Sequence, residues 1–249
     1  MDGLIITESF SSAFAAGLVD IPVIIGNAQC EPDEDPDNYV QMFSLTEWQF
    51  MLNNTFSSSW NNGAAIASSI YNLYKTEAMV NPQKAYDSIV SDYGLYCAQI
   101  ATAKNALAPV GKRLSKIFLY EEAWQLSHPF IGGNKTLVTY AYHDLFFFVS
   151  TSQWDRFGNG SFMPQASDLA QANLLQSIWL DFVYNQSVIS STKGAWKAVN
   201  SAPGWPSNYT VYVLQETPAP TTSIINHKAN ICSYFNSIGI DNANFWWAN

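Results

Sequence analysis

Two short apolar runs along this chain have the pattern of buried strands, and a segment rich in polar residues follows each. The first is PVIIGN at residues 22–27, and the second is IFLY at residues 117–120. Compact β-branched and aromatic runs of this length are typical of parallel strands that are buried on both faces. We therefore predict an α/β fold with a mostly parallel sheet and flanking helices.

Apolar residues at three- and four-residue steps predict the helices around that sheet. The sequence SLTE at residues 44–47 has the form of a capping box, which predicts a helix start. Helical spacing also covers residues 82–107, and a further helix is predicted to start after Pro164 and to end at about Val183. The apolar stripe of this last helix consists of Leu174, Leu175, Ile178, Trp179 and Phe182.

The C-terminal part predicts one more strand and a tail. Residues 209–214 alternate like an edge strand, and Pro- and Thr-rich residues 217–223 form a linker to the tail. No internal repeat and no charge block marks a domain boundary. We therefore predict that residues 1–249 belong to a single domain, with a core part at residues 1–216 and a tail at residues 217–249.

Composition and charge narrow the possible partners. Hydrophobic residues make up 48% of the 249 residues, charged residues only 12%, and the formal net charge is −9. A chain this acidic has no basic patch to neutralise phosphates, which argues against a nucleic-acid partner. No run of about 18 apolar residues occurs, so no membrane-spanning helix is predicted.

Acceptor sequences for N-glycosylation indicate a secreted or lumenal protein. The N-x-[ST] pattern occurs at Asn53, Asn134, Asn159, Asn185 and Asn208. The N-terminus lacks the basic region of a signal peptide, so we expect the true N-terminus to lie upstream of Met1.

The three cysteines are Cys30, Cys97 and Cys232, and their spacing matches no zinc or redox motif. An odd number in a secretory context leaves at least one free thiol or a partner outside the chain. One disulfide plus one spare thiol is the expectation, with the pairing left open. No metal and no cofactor is predicted.

Each of the two predicted strands leads to a residue that an ester hydrolase needs. Glu31 follows the first strand, and His143 lies in the segment after the second. An acid after one buried strand and a histidine after the next is how the α/β-hydrolase fold delivers two of its three catalytic groups. The nucleophile of that fold is a serine on a G-x-S-x-G turn, and this chain contains no such turn.

Four segments, in order, resemble the C-terminal portion of the type-B carboxylesterase family, which includes cholinesterases and many secreted lipases. They are residues 2–17 with 22–26, residues 91–97, residues 118–120 with 140–143, and residues 178–182 with 205–206 and 212–214. The resemblance implies that Glu31 is the acid of a catalytic triad and His143 its general base. It further implies that the serine and the oxyanion-hole glycines lie in a missing N-terminal half. The implied substrate is a small-molecule or lipid ester.

Departures from the family pattern keep a second function open. The family usually has a small residue at the position of Tyr140, glycine at Asp144 and an acid at Phe146, and glycine rather than Pro32 after its acid. His143 would then be a packing residue among aromatic side chains. The alternative is a catalytically inactive esterase-like scaffold that binds a partner protein, to which the exposed aromatic tail at residues 245–247 would be suited.

Other residues carry weaker signals. Ser9 lacks flanking glycines and is interpreted as an ordinary serine, His128 as structural, and His227 as exposed in the tail. The acidic residues 33–38 place oxygen ligands at alternate positions, as in a calcium loop, but Asn38 stands where that loop requires glycine. A solvated acidic loop is the preferred interpretation.

Overall fold

A mixed four-stranded sheet organises the part of the chain that the computed structural model describes, namely residues 10–29, 43–107, 115–124, 164–190, 194–199, 204–214 and 222–239. The strands are β1 (Val23–Ala28), β2 (Ile117–Glu122), β3 (Ile189–Ser190), β4 (Gly194–Ala195), β5 (Thr210–Leu214) and β6 (Thr222–Ile225). The helices are α1 (Phe10–Ala15), α2 (Leu45–Ser59), α3 (Gly63–Val80), α4 (Pro82–Ser91), α5 (Cys97–Leu107), α6 (Ala166–Asn185) and α7 (Ala229–Ile238).

The strand order in the sheet is β1-β2-β5-β6. β1 pairs with β2 and β2 with β5 in parallel, whereas β6 pairs with β5 antiparallel. These pairings confirm the α/β class and the two strands predicted from the apolar runs. The predicted edge position of β5 is wrong, because β6 covers its outer side. The Thr- and Ser-containing start of β6 falls in the segment that composition had indicated as a linker.

The side chains of the central strands alternate between two apolar cores. On one face, Ile117 and Leu119 of β2 pack with helices α2 to α5 and α7. On the other face, Phe118 and Tyr120 pack against the stripe of α6. We call these the broad face and the α6 face. Burial on both sides explains why β2 is an unbroken apolar run until its last two residues.

Local sequence determines where several helices begin. Ser44 caps α2, and the capping box is formed because Ser44 N–H donates to Glu47 Oε2 at 2.8 Å and Glu47 N–H to Ser44 Oγ at 3.3 Å. Asn81 caps α4 by accepting the N–H of Lys84, with Pro82 at the first helical position. The structure confirms these two predicted starts. α3 was not predicted, because its buried residues are interleaved with alanines and serines.

The predicted helix over residues 82–107 is confirmed with one interruption. Between α4 and α5 the chain forms a π-helical turn at Asp92–Tyr96, and Asp92, Tyr93 and Tyr96 are buried there. π-Helical turns insert an extra residue and frequently occur at functional sites. Here the turn directs Asp92 toward the carboxyl end of β2.

A disulfide links Cys97, the first residue of α5, to Cys232 in α7, with a Cα–Cα distance of 5.0 Å. The expectation of one disulfide is thus confirmed and its pairing established. Cys30 lies outside the described residues. The bond joins α7 to α5 on the broad face, and because it spans 135 residues of sequence it restricts the unfolded chain and so stabilises the fold.

Candidate functional site

The carboxyl ends of β1 and β2 lie side by side at one edge of the sheet. Ala28 is the register partner of Glu122, and the pairing continues one residue further, since Gln29 N–H donates to the Glu122 carbonyl at 2.8 Å. The chain leaves β1 toward Glu31 and leaves β2 toward His143. Open α/β sheets bind ligands at this edge. Glu31 and His143 themselves lie outside the described residues.

At this edge the broad face of β2 carries a buried ionic cluster. Lys228 Nζ lies 2.5 Å from Glu121 Oε1 and 2.6 Å from Asp92 Oδ1. His227 Nε2 lies 2.8 Å from Glu121 Oε2. Tyr74 completes the cluster by donating its hydroxyl to Asp92 Oδ2 at 2.7 Å. Every carboxylate oxygen of the cluster therefore has a partner.

The turn between β6 and α7 places His227 and Lys228, the two basic side chains of this cluster. Asn226 and Lys228 both have positive φ, 54° and 53°, a conformation that costs a lysine backbone strain. The side-chain oxygen of Asn226 accepts the N–H of Tyr209 at 3.0 Å. The His227 carbonyl accepts the hydroxyls of Tyr96 and Tyr209 at 3.1 and 2.8 Å. These bonds hold the turn above the end of β2.

His227 is therefore not an exposed tail residue, and that prediction is wrong. Its side chain is 20% exposed and its ring packs edge-on against Tyr96 at 5.7 Å between centroids. The error arose because the residues after 217 were interpreted as a tail, whereas β6 and α7 fold back onto the sheet. A carboxylate only accepts hydrogen bonds, so His227 donates Nε2–H to Glu121.

The two carboxyls of the cluster have pKa values shifted in opposite directions. Burial alone would raise the pKa of Glu121, but Lys228 and His227 outweigh burial and hold that pKa at about 2. For Asp92, burial outweighs its single cationic partner and raises the pKa above the ordinary value. Burial would lower the pKa of Lys228, yet the two carboxylates raise it. Glu121 and Lys228 are thus the firmly charged pair.

The α6 face of β2 carries the next residue, Glu122, in a different state. Gln171 of α6 donates its side-chain N–H to Glu122 Oε1 at 3.0 Å, and burial raises the pKa of Glu122 to about 8. At neutral pH this carboxyl is mostly protonated. Within the described residues, Glu122 Oε2, Gln171 Oε1 and Trp124 Nε1 are buried and meet no hydrogen-bond partner.

Sequence reasoning missed both glutamates, although two consecutive acids at the end of a buried apolar run are a visible signal. A central strand shows two adjacent carboxyls to opposite faces, so each needs its own partner. Lys228 could not have been assigned as that partner from spacing, because 107 residues separate it from Glu121.

The glycosylation candidates fall in different surroundings. Asn53 is a half-buried residue inside α2, while Asn185 ends α6 and Asn208 precedes β5, both exposed. Asn134 and Asn159 lie outside the described residues. The same holds for His128, Ser9, the acidic residues 33–38 and the aromatic residues 245–247.

The described ranges contain neither a candidate metal site nor a candidate membrane-spanning helix. No group of three or more His, Cys, Asp or Glu side chains there could hold a metal ion. None of the helices in these ranges combines the length and the hydropathy that a membrane-spanning segment requires.

Comparison with known proteins identifies the fold. No protein-family model and no curated protein sequence matches this chain. Among solved structures, a thermophilic pNB esterase matches with a TM-score of 0.60 and 16% identity over 94% of this chain and 42% of its own. EstA of Aspergillus niger matches with a TM-score of 0.61 and 13% identity over 96% of this chain and 44% of its own.

These matches and the sheet topology show that the chain has the fold of the C-terminal part of an α/β-hydrolase. It spans about two fifths of the length of the solved structures that it matches. At this level of identity the likeness establishes architecture alone.

Proposed function

We propose that this chain is the C-terminal portion of a serine carboxylic-ester hydrolase of the type-B carboxylesterase kind. The observation that carries the proposal is the register of the parallel strands β1 and β2, whose last residues, Ala28 and Glu122, are partners. The segments that bear Glu31 and His143 therefore start from adjacent strand ends, as a triad that assembles in space requires. The esterase-like architecture of the whole chain supports it.

In the proposed reaction, Glu31 accepts a hydrogen bond from one ring nitrogen of His143 and fixes its tautomer. The other ring nitrogen takes the proton of the attacking serine, and the serine oxygen adds to the ester carbonyl. The same proton passes to the departing alcohol, leaving an acyl-enzyme. Water activated by His143 then releases the acid and restores the serine.

The serine and the oxyanion hole would come from an N-terminal half of the same protein, and residues 1–249 would complete one domain with it. β1 is an edge strand of the sheet within the described residues, and a strand of that N-terminal half would join the sheet beside it. Residues 1–216 would form the core part of this portion, and residues 217–249 a C-terminal segment whose β6 and α7 pack onto that core.

We propose a small-molecule or lipid ester as substrate and a secreted or lumenal location. The Cys97–Cys232 disulfide supports an oxidising compartment, because disulfides are rare in reducing ones. No cofactor is needed for acyl transfer through a serine.

An inactive scaffold that binds a partner protein is the second candidate. The residues around the histidine favour it, since Tyr140, Asp144 and Phe146 differ from the family pattern. A neighbouring carboxylate at Asp144 would compete with Glu31 for the imidazole.

A fluorophosphonate probe, which phosphonylates only an activated serine, separates the two functions. In extract of the source cells, we expect peptides of this chain in a labelled band about twice 27.7 kDa in mass. Recovery of these peptides only from unlabelled protein would favour the scaffold. In the full-length protein, His143→Ala should abolish labelling and His128→Ala should not.

The isolated chain gives a second test. Because it contains no nucleophile elbow, purified residues 1–249 should not hydrolyse a p-nitrophenyl ester. Turnover that disappears in His143→Ala would contradict the proposed division of the triad between the two halves.

A further inference from the structure

The C-terminal end of α6 is an exposed apolar surface. Leu180, Val183 and Tyr184 are 55%, 70% and 79% exposed. They recur at three- and four-residue steps and so lie next to one another on the helix. Isolated exposed apolar residues are ordinary, whereas adjacent ones that form a patch often mark a functional surface.

The next residue, Asn185, begins the acceptor sequence Asn185-Gln186-Ser187. Asn185 is exposed and is the last residue of α6. Its amide meets no hydrogen-bond partner within the described ranges. Gln186 turns the chain out of the helix with a φ of 52°, so the acceptor sequence lies on a turn.

The other two described acceptor sequences are less suitable. Asn53 lies inside α2 between the buried residues Leu52 and Phe56, where a bulky hydrophilic chain would collide with the core contacts. Asn208 is exposed, but its side-chain oxygen accepts from Asn226 at 3.0 Å. Its amide nitrogen also points toward Gly204, only 2.8 Å from where a Cβ would stand.

We propose that Asn185 is N-glycosylated and that its glycan covers the apolar end of α6. Its amide nitrogen would form a bond to the anomeric carbon of the first sugar and lose one proton. The glycosyl–phosphate bond of a lipid-linked oligosaccharide diphosphate would break, and the lipid diphosphate would leave. The proposal rests on the secreted or lumenal location but not on esterase activity.

The test is peptide mapping of the native protein after amide-cleaving glycosidase treatment in water labelled with oxygen-18. Glycosidase release converts a glycosylated asparagine to labelled aspartate. We expect this conversion at Asn185 and not at Asn53. An unmodified Asn185 peptide from the mature protein would overturn the proposal, whatever the probe experiment shows about the serine.

Matched variants of the full-length protein in a secreting eukaryotic host identify the site and its purpose. Asn185→Gln and Ser187→Ala should each remove one glycan, whereas Asn53→Gln should leave the mass unchanged. Both glycan-free variants should bind more of a hydrophobic dye, and adding Val183→Ser with Tyr184→Ser should reverse the increase. Unchanged dye binding in the glycan-free variants would overturn the covering role.

Discussion

The two faces of β2 carry consecutive glutamates in opposite protonation states at the same depth. Glu121 is 1% exposed and Glu122 is 4% exposed, so burial cannot be what distinguishes them. Glu121 faces a lysine and a histidine, while the side chain that bonds Glu122 is the amide of Gln171. The cation brought by the turn before α7 therefore determines whether a buried carboxyl at this edge is charged.

The same substitution should therefore have opposite effects on the two faces. On the broad face the charge belongs to the native state, and its removal leaves Lys228 with excess positive charge. On the α6 face the native state holds a proton that the unfolded chain releases at neutral pH.

Glu121→Gln should lower the free energy of unfolding by about 3–5 kcal/mol at pH 7, because it breaks a buried ion pair from one side. Urea denaturation of the purified full-length protein measures this. Lys84→Met breaks the half-exposed pair with Glu77, 3.5 Å apart, and should cost less than about 1 kcal/mol. Equal effects of the two substitutions would mean that burial does not strengthen the dependence of the fold on the Glu121–Lys228 ion pair.

The pKa of Glu121 is lowered, so its contribution has a defined pH range. It is present above about pH 4.5 and is lost as the pH falls toward 2. Wild type and Glu121→Gln should therefore converge in stability as the solution is acidified through that range. Curves that stay parallel would contradict the charged state assigned to Glu121.

Glu122→Gln should stabilise the protein relative to wild type as the pH rises. The folded-state pKa of Glu122 is raised from 4.5 to about 8, so the unfolded wild type gains from ionisation across that interval. Between pH 5 and pH 8, the free energy of unfolding of the variant should rise by about 3 kcal/mol relative to that of wild type. A loss of stability at pH 8 would show that Glu122 is ionised in the folded protein.

Gly26→Ala should lower the free energy of unfolding by about 2 kcal/mol, because aromatic rings fill the α6 face and leave no room for a methyl group. A Cβ at Gly26 would stand 2.3 Å from the ring of Tyr120. Trp179 and Trp196 pack against that ring at 5.9 and 6.4 Å. In a Tyr120→Ala background the same substitution should be nearly neutral, and full additivity in thermal denaturation would contradict the steric explanation.

Much of the fold was predictable because it depends on local pattern. The apolar runs of β1 and β2, the capping box at Ser44 and the helical spacing of residues 82–107 each carry their own signal. β6 and α3 did not, because β6 is short and Thr- and Ser-rich and the apolar period of α3 is diluted by small residues. Neither fits the periodicity on which sequence prediction depends.

The site was less predictable because its pairings are long-range. Asp92, Glu121 and Lys228 come together through the π-helical turn, a strand end and a turn with positive φ. No spacing rule connects such elements. His227 was misassigned for the same reason, since its environment is determined by β6 rather than by its sequence neighbours.

The ionic cluster also imposes an order on synthesis. Asp92 and Glu121 precede Lys228 by 136 and 107 residues, so the ribosome makes both carboxylates long before it makes the cation. Until Lys228 has left the exit tunnel, closing the broad face would bury two like charges without compensation. Closure of the broad face in the nascent chain should therefore wait for Lys228. A product that terminates before residue 228 would remain accessible to the chaperones and proteases that remove incomplete chains.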